Sequence, residues 1–289
     1  MTRKFLNLLA GMGFAAFLSG PSPALAQVSL GAASNFAVLG GAGVTCTGSA
    51  VNGDVGSLLT VTGFPPPTPA LCTLVGTVHA ADAAATAAFH DFLRAHDALD
   101  AMTCNAQHNL TGQPLGGMTL APGVYCFNST AALTTGTLTL DARGNSNAVW
   151  VFQVETAITT GTASVVMANG GQACNVFWEL GTAATIGTGT AFLGNVLAGS
   201  AITFSGTNSS LVGRALAVTA VTMTGTNISI GNCGGGTPPP PSCDKDGEHK
   251  KDGKPDKQNC DGDHHGDQDQ DDNDDDDNHD HGQKDHGGK

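Results

Sequence analysis

A four-residue phrase that begins with Thr or Ser and ends with Thr decides the fold of this 289-residue chain. Its four copies are Thr156-Ala-Ile-Thr159, Thr182-Ala-Ala-Thr185, Ser200-Ala-Ile-Thr203 and Thr219-Ala-Val-Thr222. Between residues 156 and 230 the only charged side chains are those of Glu179 and Arg214. Matched Thr positions with almost no ionisable groups are typical of stacked short strands that present an ordered, uncharged face.

The spacing of the phrase predicts a solenoid. Successive copies begin 26, 18 and 19 residues apart, counted from Thr156 to Thr182, Ser200 and Thr219. An interval of roughly 18 residues suits one turn of a three-sided β-solenoid with about four to six residues in each strand. The wider first interval predicts an insertion in one coil.

Short apolar runs separated by turn residues extend this pattern toward both ends of the chain. Before residue 64 the predicted strands are Phe36 to Leu39, Val51 to Val55 and Leu58 to Val61. After residue 104 they are Met118 to Leu120, Val124 to Phe127, Leu138 to Leu140, Val149 to Val154, Val165 to Met167, Val176 to Leu180, Phe192 to Leu197 and Leu211 to Ala217.

Residues 77–102 differ in kind, because they are rich in Ala and contain no Gly or Pro. Apolar side chains recur there at spacings of three and four, which predicts one long amphipathic helix. These side chains are Val78, Ala81, Ala85, Ala88, Phe92, Ala95, Leu99 and Met102. The opposite face should be solvated; it carries Asp82, His90, Asp91, Arg94, Asp97 and Asp100. Such a helix would be roughly 39 Å long, the height of roughly eight stacked strands, and would cover one side of the solenoid.

The two ends of the chain have their own signatures. Basic residues Arg3 and Lys4, an apolar run from Phe5 to Leu18 and small residues up to Ala26 predict a secretory signal peptide, residues 1–26. The apolar run is too short to span a membrane, so we expect an exported, soluble chain without membrane insertion. Residues 27–233 should form one domain, and residues 234–289, rich first in Pro and Gly and then in Asp and His, a disordered tail.

Charge is concentrated in that tail. The formal net charge is −13, and residues 237–289 supply −10 of it with 17 acidic and 7 basic side chains. The predicted domain is nearly neutral and lacks the clustered Lys and Arg that nucleic acid requires, so we expect no nucleic-acid partner. The tail is interpreted as a solvating extension, with divalent-cation binding by its Asp and His residues as the weaker alternative.

Eight cysteines in an exported chain favour disulfides over metal ligands. Eight cysteines allow 105 connectivities, and only neighbourhood in the sequence suggests a choice among them. The suggested pairs are Cys46 with Cys72, Cys104 with Cys126, Cys174 with Cys233, and Cys243 with Cys260.

Catalytic chemistry has little support in the sequence. Carbohydrate-active solenoids need paired carboxylates or a base beside a cation. Between residues 104 and 233 the acids are Asp141, Glu155 and Glu179, and none forms an evident pair. The predicted helix carries His79, His90 and His96 without a metal-binding spacing. We therefore predict no enzymatic activity, no catalytic or metal-binding residue and no cofactor.

Several segments, taken in order, resemble the microbial ice-binding-like family, the DUF3494 proteins. The resemblance covers residues 30–231, the whole predicted domain. It rests on Asn35–Leu39, Asn52–Gly56, Thr62–Pro66, Leu120–Phe127, Ala148–Gln153, Asn175–Trp178, Gly194–Ala198 and Val212–Leu216.

This resemblance implies a mostly β fold: a discontinuous right-handed β-solenoid of triangular section with one long helix packed alongside. It also implies that an early and a late part of the chain interleave in the stack. Family members bind ice through one flat side, which in some carries a Thr-Ala/Gly-x-Thr/Asn phrase. The implied ice-binding residues are Thr156, Thr159, Thr182, Thr185, Ser200, Thr203, Thr219 and Thr222. Ser200 departs by lacking the Thr methyl, and an earlier candidate, Thr130-Ala-Ala-Leu133, lacks the final Thr.

A stiff stack explains why such residues could bind ice. Side chains on it lie about 4.8 Å apart between strands and about 6.6 to 6.8 Å apart along a strand, and β-branching holds each Thr in place. We expect a secreted, monomeric antifreeze protein that adsorbs to an ice surface and inhibits ice growth and recrystallisation. The alternatives are an extracellular adhesion or glycan-binding module on the same scaffold, or Thr that merely fills exposed β positions.

Overall fold

Parallel pairing between short strands builds the whole sheet of this protein. The structure is a computed structural model that describes residues 28–65 and 71–231. In these two ranges 19 strands pair into one sheet, which coils so that successive strands fall on three sides. The predicted solenoid is therefore confirmed.

One side of the solenoid lies under the helix, and its strands, apart from the terminal strand Val78–Ala80, are largely buried on both faces. We call it the helix side. In stacking order its strands are Gly123–Phe127 (β9), Trp150–Val154 (β11), Val176–Leu180 (β13), the second half of Ala191–Ala198 (β15), the second half of Ser209–Ala217 (β17), Phe36–Gly40 (β1), Asp54–Ser57 (β4) and Val78–Ala80 (β7).

A second side contains the repeated phrase, and we call it the threonine side. Its strands are the first part of Ala131–Asp141 (β10), the first part of Ile158–Ala168 (β12), Ala184–Gly187 (β14), Ile202–Ser205 (β16), Ala220–Thr224 (β18), Gly43–Thr47 (β2) and Thr60–Thr62 (β5).

The third side completes the triangle. Its strands are Thr119–Leu120 (β8), the second parts of β10 and β12, the first parts of β15 and β17, Thr226–Ser229 (β19), Ala50–Asn52 (β3) and Thr73–Val75 (β6). The described residues also include three short 3-10 turns: Gly31–Asn35 precedes β1, Ala106–His108 lies between the helix and β8, and Ala173–Asn175 connects β12 to β13.

The stack is discontinuous in sequence. The N-terminal strands β1, β2 and β3 pair with β17, β18 and β19, the last coil of the C-terminal part. In residues 28–65 and 71–231 the two parts meet at this one junction and do not alternate along the axis, so the expected interleaving is wrong and the parts are stacked end to end. The N-terminal coils thereby extend each side beyond the point where the C-terminal part ends.

The helix (α1) runs from Ala83 to Asp100 and is shorter than predicted. Its first predicted turn is instead strand β7, where Val78 pairs with Val55, and His79 therefore lies on a strand. The Asp82 side chain ends the strand conformation by accepting a hydrogen bond from Ala85 N at 2.8 Å, as an N-cap. At 18 residues, α1 is roughly 27 Å long.

The buried face of α1 matches the predicted face in its central positions, Ala85, Ala88, Phe92, Ala95 and Leu99, and adds Phe89. From Ala88 onward these side chains pack on Leu39, Val151, Phe177, Leu197 and Leu216 of the helix side. No helix in residues 28–65 and 71–231 has the length and apolarity that a membrane crossing requires.

Two predicted disulfides are confirmed, Cys46 with Cys72 and Cys104 with Cys126. Cys174 is also disulfide-bonded. Its predicted partner Cys233, the predicted pair of Cys243 and Cys260, the signal peptide 1–26 and the tail 234–289 lie outside the described residues.

The wide interval in the repeat has a local cause. In the coil that follows Thr159, residues 169–175 form a turn and a 3-10 turn between β12 and β13. In the next coils the same corner is crossed within one strand, at Gly194 in β15 and Gly213 in β17. Gly213 has φ +148, and a Cβ there would lie 1.9 Å from Gly194 O, so only glycine allows this direct crossing.

Candidate functional site

The last Thr of each phrase lies in one straight column on the threonine side. Thr159 pairs with Thr185, Thr185 with Thr203, and Thr203 with Thr222. Three of these side chains are exposed and Thr203 is half-buried. The structure therefore brings together the four final positions of the repeat, on adjacent strands about 4.8 Å apart.

Two further threonines from the N-terminal part lengthen this column. Thr222 pairs with Thr45 across the junction, and Thr45 pairs with Thr62. Sequence reasoning missed both, because β2 and β5 lack the Thr-Ala phrase. We call the six residues the threonine column: Thr159, Thr185, Thr203, Thr222, Thr45 and Thr62.

The column ends at Ala132, which pairs with Thr159. The earlier candidate Thr130-Ala-Ala-Leu133 is out of register by one residue, because Leu133 pairs with Thr160 and is fully buried. The strand β10 therefore contributes no Thr to the column.

The first residues of the phrases occupy a different place. Thr156, Thr182, Ser200 and Thr219 stack at the corner before the threonine side. The N–H groups of Thr182, Ser200 and Thr219 each donate to the carbonyl of the corresponding residue in the preceding coil. The Thr182 hydroxyl donates to Thr156 O at 2.8 Å. The Thr156 hydroxyl is buried, with no hydrogen-bond partner among the described residues. The missing methyl of Ser200 is therefore at this corner and leaves the column unbroken.

Small or hydroxyl-bearing residues flank the threonine column on both sides. One flank has Ala157, Ala183, Ala201, Ala220 and Gly43, so no bulky group rises beside the column. The other flank runs from Gly161 and Gly187 through Ser205 to Thr224 and Thr47. Because the flanking residues are small, no large side chain projects beside the column, and because the strands of this side carry no ionisable side chain the surface is uncharged.

Apolar side chains support the column from inside. Ile158, Ile202, Val221 and Val44 precede column threonines in their strands, point inward and are at most 1 % exposed. An interior packed at this density resists displacement, and the β-branch of Thr restricts χ1. Backbone and side chain together therefore hold each hydroxyl and each methyl in a fixed position.

The other two sides offer no comparable surface. Helix α1 covers the helix side. The third side mixes Ser, Ala, Asn, Thr and Leu with three exposed valines, and has no continuous column of one residue type. Val75, Val166 and Val212 are 69 %, 39 % and 41 % exposed.

The charged residues within the repeat are buried and serve the scaffold. Glu179 in β13 is 3 % exposed, and its Oε1 lies 3.2 Å from His96 Nε2 of α1. Burial, with a smaller effect from the Asp100 charge, raises the pKa of Glu179 to about 7. Because α1 covers this carboxyl, the contact joins helix to solenoid and leaves no room for a substrate.

Arg214 in β17 lies at the junction of the two chain parts. Its Nε donates to Ser34 O at 3.0 Å, just before β1, and its Nη1 donates to Asn195 Oδ1 at 2.9 Å. Burial lowers the pKa of Arg214 to about 10, so the guanidinium stays charged near neutral pH. In residues 28–65 and 71–231 no three His, Cys, Asp or Glu side chains are grouped to hold a metal ion.

Fold and surface together define a class of protein: a discontinuous parallel β-solenoid with one flanking helix and one flat, uncharged side lined by threonine. Residues 38–229 match the family model described as ice-binding-like. The chain therefore belongs to the ice-binding-like family.

Relatives agree with this assignment. The chain is 42 % identical over 208 residues to an ice-binding protein of Nostoc sp. (strain HG1), which covers 71 % of this chain and 74 % of the relative. The crystal structure of an ice-binding protein from the Antarctic ascomycete Antarctomyces psychrotrophicus has a TM-score of 0.65 at 36 % identity, over 70 % of this chain and 98 % of that one. The crystal structure of an ice-binding protein from an Antarctic biological consortium has a TM-score of 0.67 at 36 % identity, and the match covers 72 % of this chain and 93 % of that one.

Proposed function

We propose that this protein binds ice through its threonine side and so inhibits ice growth and recrystallisation. The observation that carries the proposal is the threonine column, six threonines in register on a flat, uncharged side. The family assignment and the ice-binding relatives support it.

The chemistry of the column fits an ice surface. Ordered methyls can hold a cage of water, and ordered hydroxyls can hydrogen-bond to it, so that this water joins the lattice. A charged side chain would have to lose its hydration at such a contact, which is costly, and the threonine side has none. Its spacings, about 4.8 Å and about 6.6 to 6.8 Å, are close to repeats of ice.

Within each phrase the fourth position should matter more than the first. Thr159, Thr185, Thr203 and Thr222 face outward. Thr156 and Thr182 use or bury their hydroxyls at the corner. We therefore assign the ice contact to the threonine column, and to Thr156, Thr182, Ser200 and Thr219 only the edge of the face.

The test is thermal hysteresis, together with the shape of a single growing ice crystal. A bulky ring in place of Thr185 or Thr222 should lift the face off the lattice, so T185Y and T222Y should lower hysteresis without unfolding the protein. The control T119Y places the same ring at an exposed position on the third side and should leave hysteresis unchanged. Full hysteresis and crystal shaping in both column variants would show that the assigned side is wrong.

Export to the cell exterior, a monomeric state and the absence of enzymatic activity belong to the same proposal. The sequence pattern up to Ala26 supports export, and N-terminal sequencing of the protein from culture medium would test it by finding Gln27 first. The adhesion or glycan-binding alternative finds no support in the relatives, which are named for ice binding.

A further inference from the structure

We propose that ice contact is centred on a two-dimensional threonine array built across the junction of the two chain parts, rather than spread evenly over the four copies of the repeated phrase. This inference rests on the proposed function and identifies which residues form the centre of the ice contact. We call the six residues the junction array: Thr222, Thr224, Thr45, Thr47, Thr60 and Thr62.

The density of threonine differs along the threonine side. Each of the adjacent strands β18, β2 and β5 exposes two threonines. The strands β12, β14 and β16 contribute one column threonine each, and the next outward position is Gly161, Gly187 or Ser205. The further exposed threonines of the first two of these coils, Thr162 and Thr188, come only beyond that position, near the corner with the third side. A column threonine with a second exposed threonine at the alternate position of the same strand therefore occurs only on β18, β2 and β5 among the described strands of the threonine side.

The junction array is ordered in two directions. Thr222 pairs with Thr45, and Thr224 pairs with Thr47, so two rows of two threonines face each other in register. This gives spacings of about 4.8 Å between strands and about 6.6 to 6.8 Å along them. A single column can match a lattice along one direction only, whereas a grid matches it along two and fixes its orientation.

Contacts inside the array reinforce that order. Thr62 Oγ1 lies 3.4 Å from Thr45 Oγ1 and 3.3 Å from Val44 O. The hydroxyls of neighbouring coils are therefore coupled directly, which restricts their rotation. Thr60 lies opposite Gly43, which has no side chain to hide it from a flat surface.

Several contacts hold the two chain parts in register beneath the array. β18 and β2 pair over five consecutive residues, from Ala220 with Gly43 to Thr224 with Thr47. Arg214 of the C-terminal part donates to Ser34 O, just before β1 of the N-terminal part. The Cys46–Cys72 disulfide acts within the N-terminal part: Cys46 lies between Thr45 and Thr47, points inward and anchors β2 to the residue before β6. Strand pairing and Arg214 thus hold the two parts in register, and the disulfide braces the strand that carries Thr45 and Thr47.

The experiment compares the same substitution, Thr to Tyr, at two positions of the threonine column, one inside the junction array and one outside it. Thr45 and Thr159 are both exposed column residues, but only Thr45 lies in the junction array. T45Y should remove most of the thermal hysteresis of the full chain, and T159Y should remove a small part of it. T73Y, on the third side of the same end, should remove none. Circular dichroism melts of each variant report whether the fold is kept.

A second pair of variants avoids large side chains. T47S and T224S keep the hydroxyl but lose the methyl and the β-branch, so they should fold normally and still lower hysteresis. Equal losses for T45Y and T159Y, or unchanged hysteresis in T47S and T224S, would overturn the junction array while the proposed function stands. Absence of hysteresis in the unsubstituted chain would overturn both.

Discussion

A threonine on an exposed β position keeps a hydroxyl and a methyl in nearly fixed places, because its β-branch restricts χ1. In this protein six such residues form one column, and four of them follow a buried aliphatic side chain, which is Ile158, Ile202, Val221 or Val44. The function proposed here depends on that combination. A single exposed Thr on a loop would offer the same groups without a fixed position relative to its neighbours.

One residue gives the stability of the protein a pH dependence. Burial raises the pKa of Glu179 from 4.5 to about 7 in the folded chain, whereas unfolding returns the carboxyl to water. A raised pKa means that the folded state holds the proton more tightly. The stability contributed by Glu179 is therefore full below its ordinary pKa and is lost as the pH rises through about 7.

The variant E179Q tests this dependence, because Gln is neutral at every pH and similar in shape. Between about pH 5 and about pH 8, the unfolding free energy of the unsubstituted protein should fall relative to that of E179Q in urea denaturation. D97N replaces an exposed carboxyl of α1, and its unfolding free energy should change with pH in the same way as that of the unsubstituted protein. Parallel curves for the unsubstituted protein and E179Q would contradict a raised pKa.

Site residues were predictable from the sequence only where they repeat. The fourth positions of the phrase, Thr159 to Thr222, could be located because Ala, an apolar residue and Thr recur in order. Thr45 and Thr62 precede the helix and lack the phrase, so only the pairing of β2 with β18 reveals them. The available signal was the alternation Thr45-Cys-Thr47, which matches Thr222-Met-Thr224.

At the scale of elements, α1 packs against the helix side and shields its apolar side chains from solvent. Its apolar face buries Leu39, Val151 and Phe177, which would otherwise be exposed on a strand surface. Gln153 holds its C-terminal end, since Nε2 donates to Leu99 O and Met102 O, both at 2.7 Å. His96 beside Glu179 adds a polar contact in the last third of the helix.

Truncation of the helix core should therefore destabilise the protein strongly. Leu99 is fully buried, and L99A should lower the free energy of unfolding by about 2 to 5 kcal/mol through lost contacts and a cavity. Leu93 on the same helix is only half-buried, so L93A should cost clearly less. Urea denaturation compares the two, and equal losses would mean that the helix does not pack as described.

Element types were easier to predict than their ends. The helix was predictable because its apolar spacing persists over many residues, but its start was placed six residues early. Val78 and Ala81 fit the helical spacing, yet pairing of β7 with β4 and the N-cap at Asp82 decide the local structure. Strands such as β2, with few apolar residues, were missed because their stability comes from stacking rather than from their own sequence.

At the scale of the whole molecule, the order of coils differs from the order of the chain. The N-terminal coils continue the stack past β17, β18 and β19, so that the threonine column crosses from the C-terminal to the N-terminal part. The spacing of the repeated phrase predicted a solenoid, and the family resemblance implied that it is discontinuous. The sequence did not predict which strands pair at the junction. The paired strands are about 180 residues apart in the chain, and pairing at that separation leaves no local sequence pattern.

The central claim is that the threonine side, and no other surface, docks on ice. The most direct measurement is adsorption of the fluorescently labelled protein to a single ice crystal, comparing T222Y, which changes a residue of both the threonine column and the junction array, with the unsubstituted chain. The account predicts a bright, plane-selective layer for the unsubstituted chain and its loss for T222Y with the fold intact. Equal labelling of the crystal by both proteins, or labelling by neither, would contradict it.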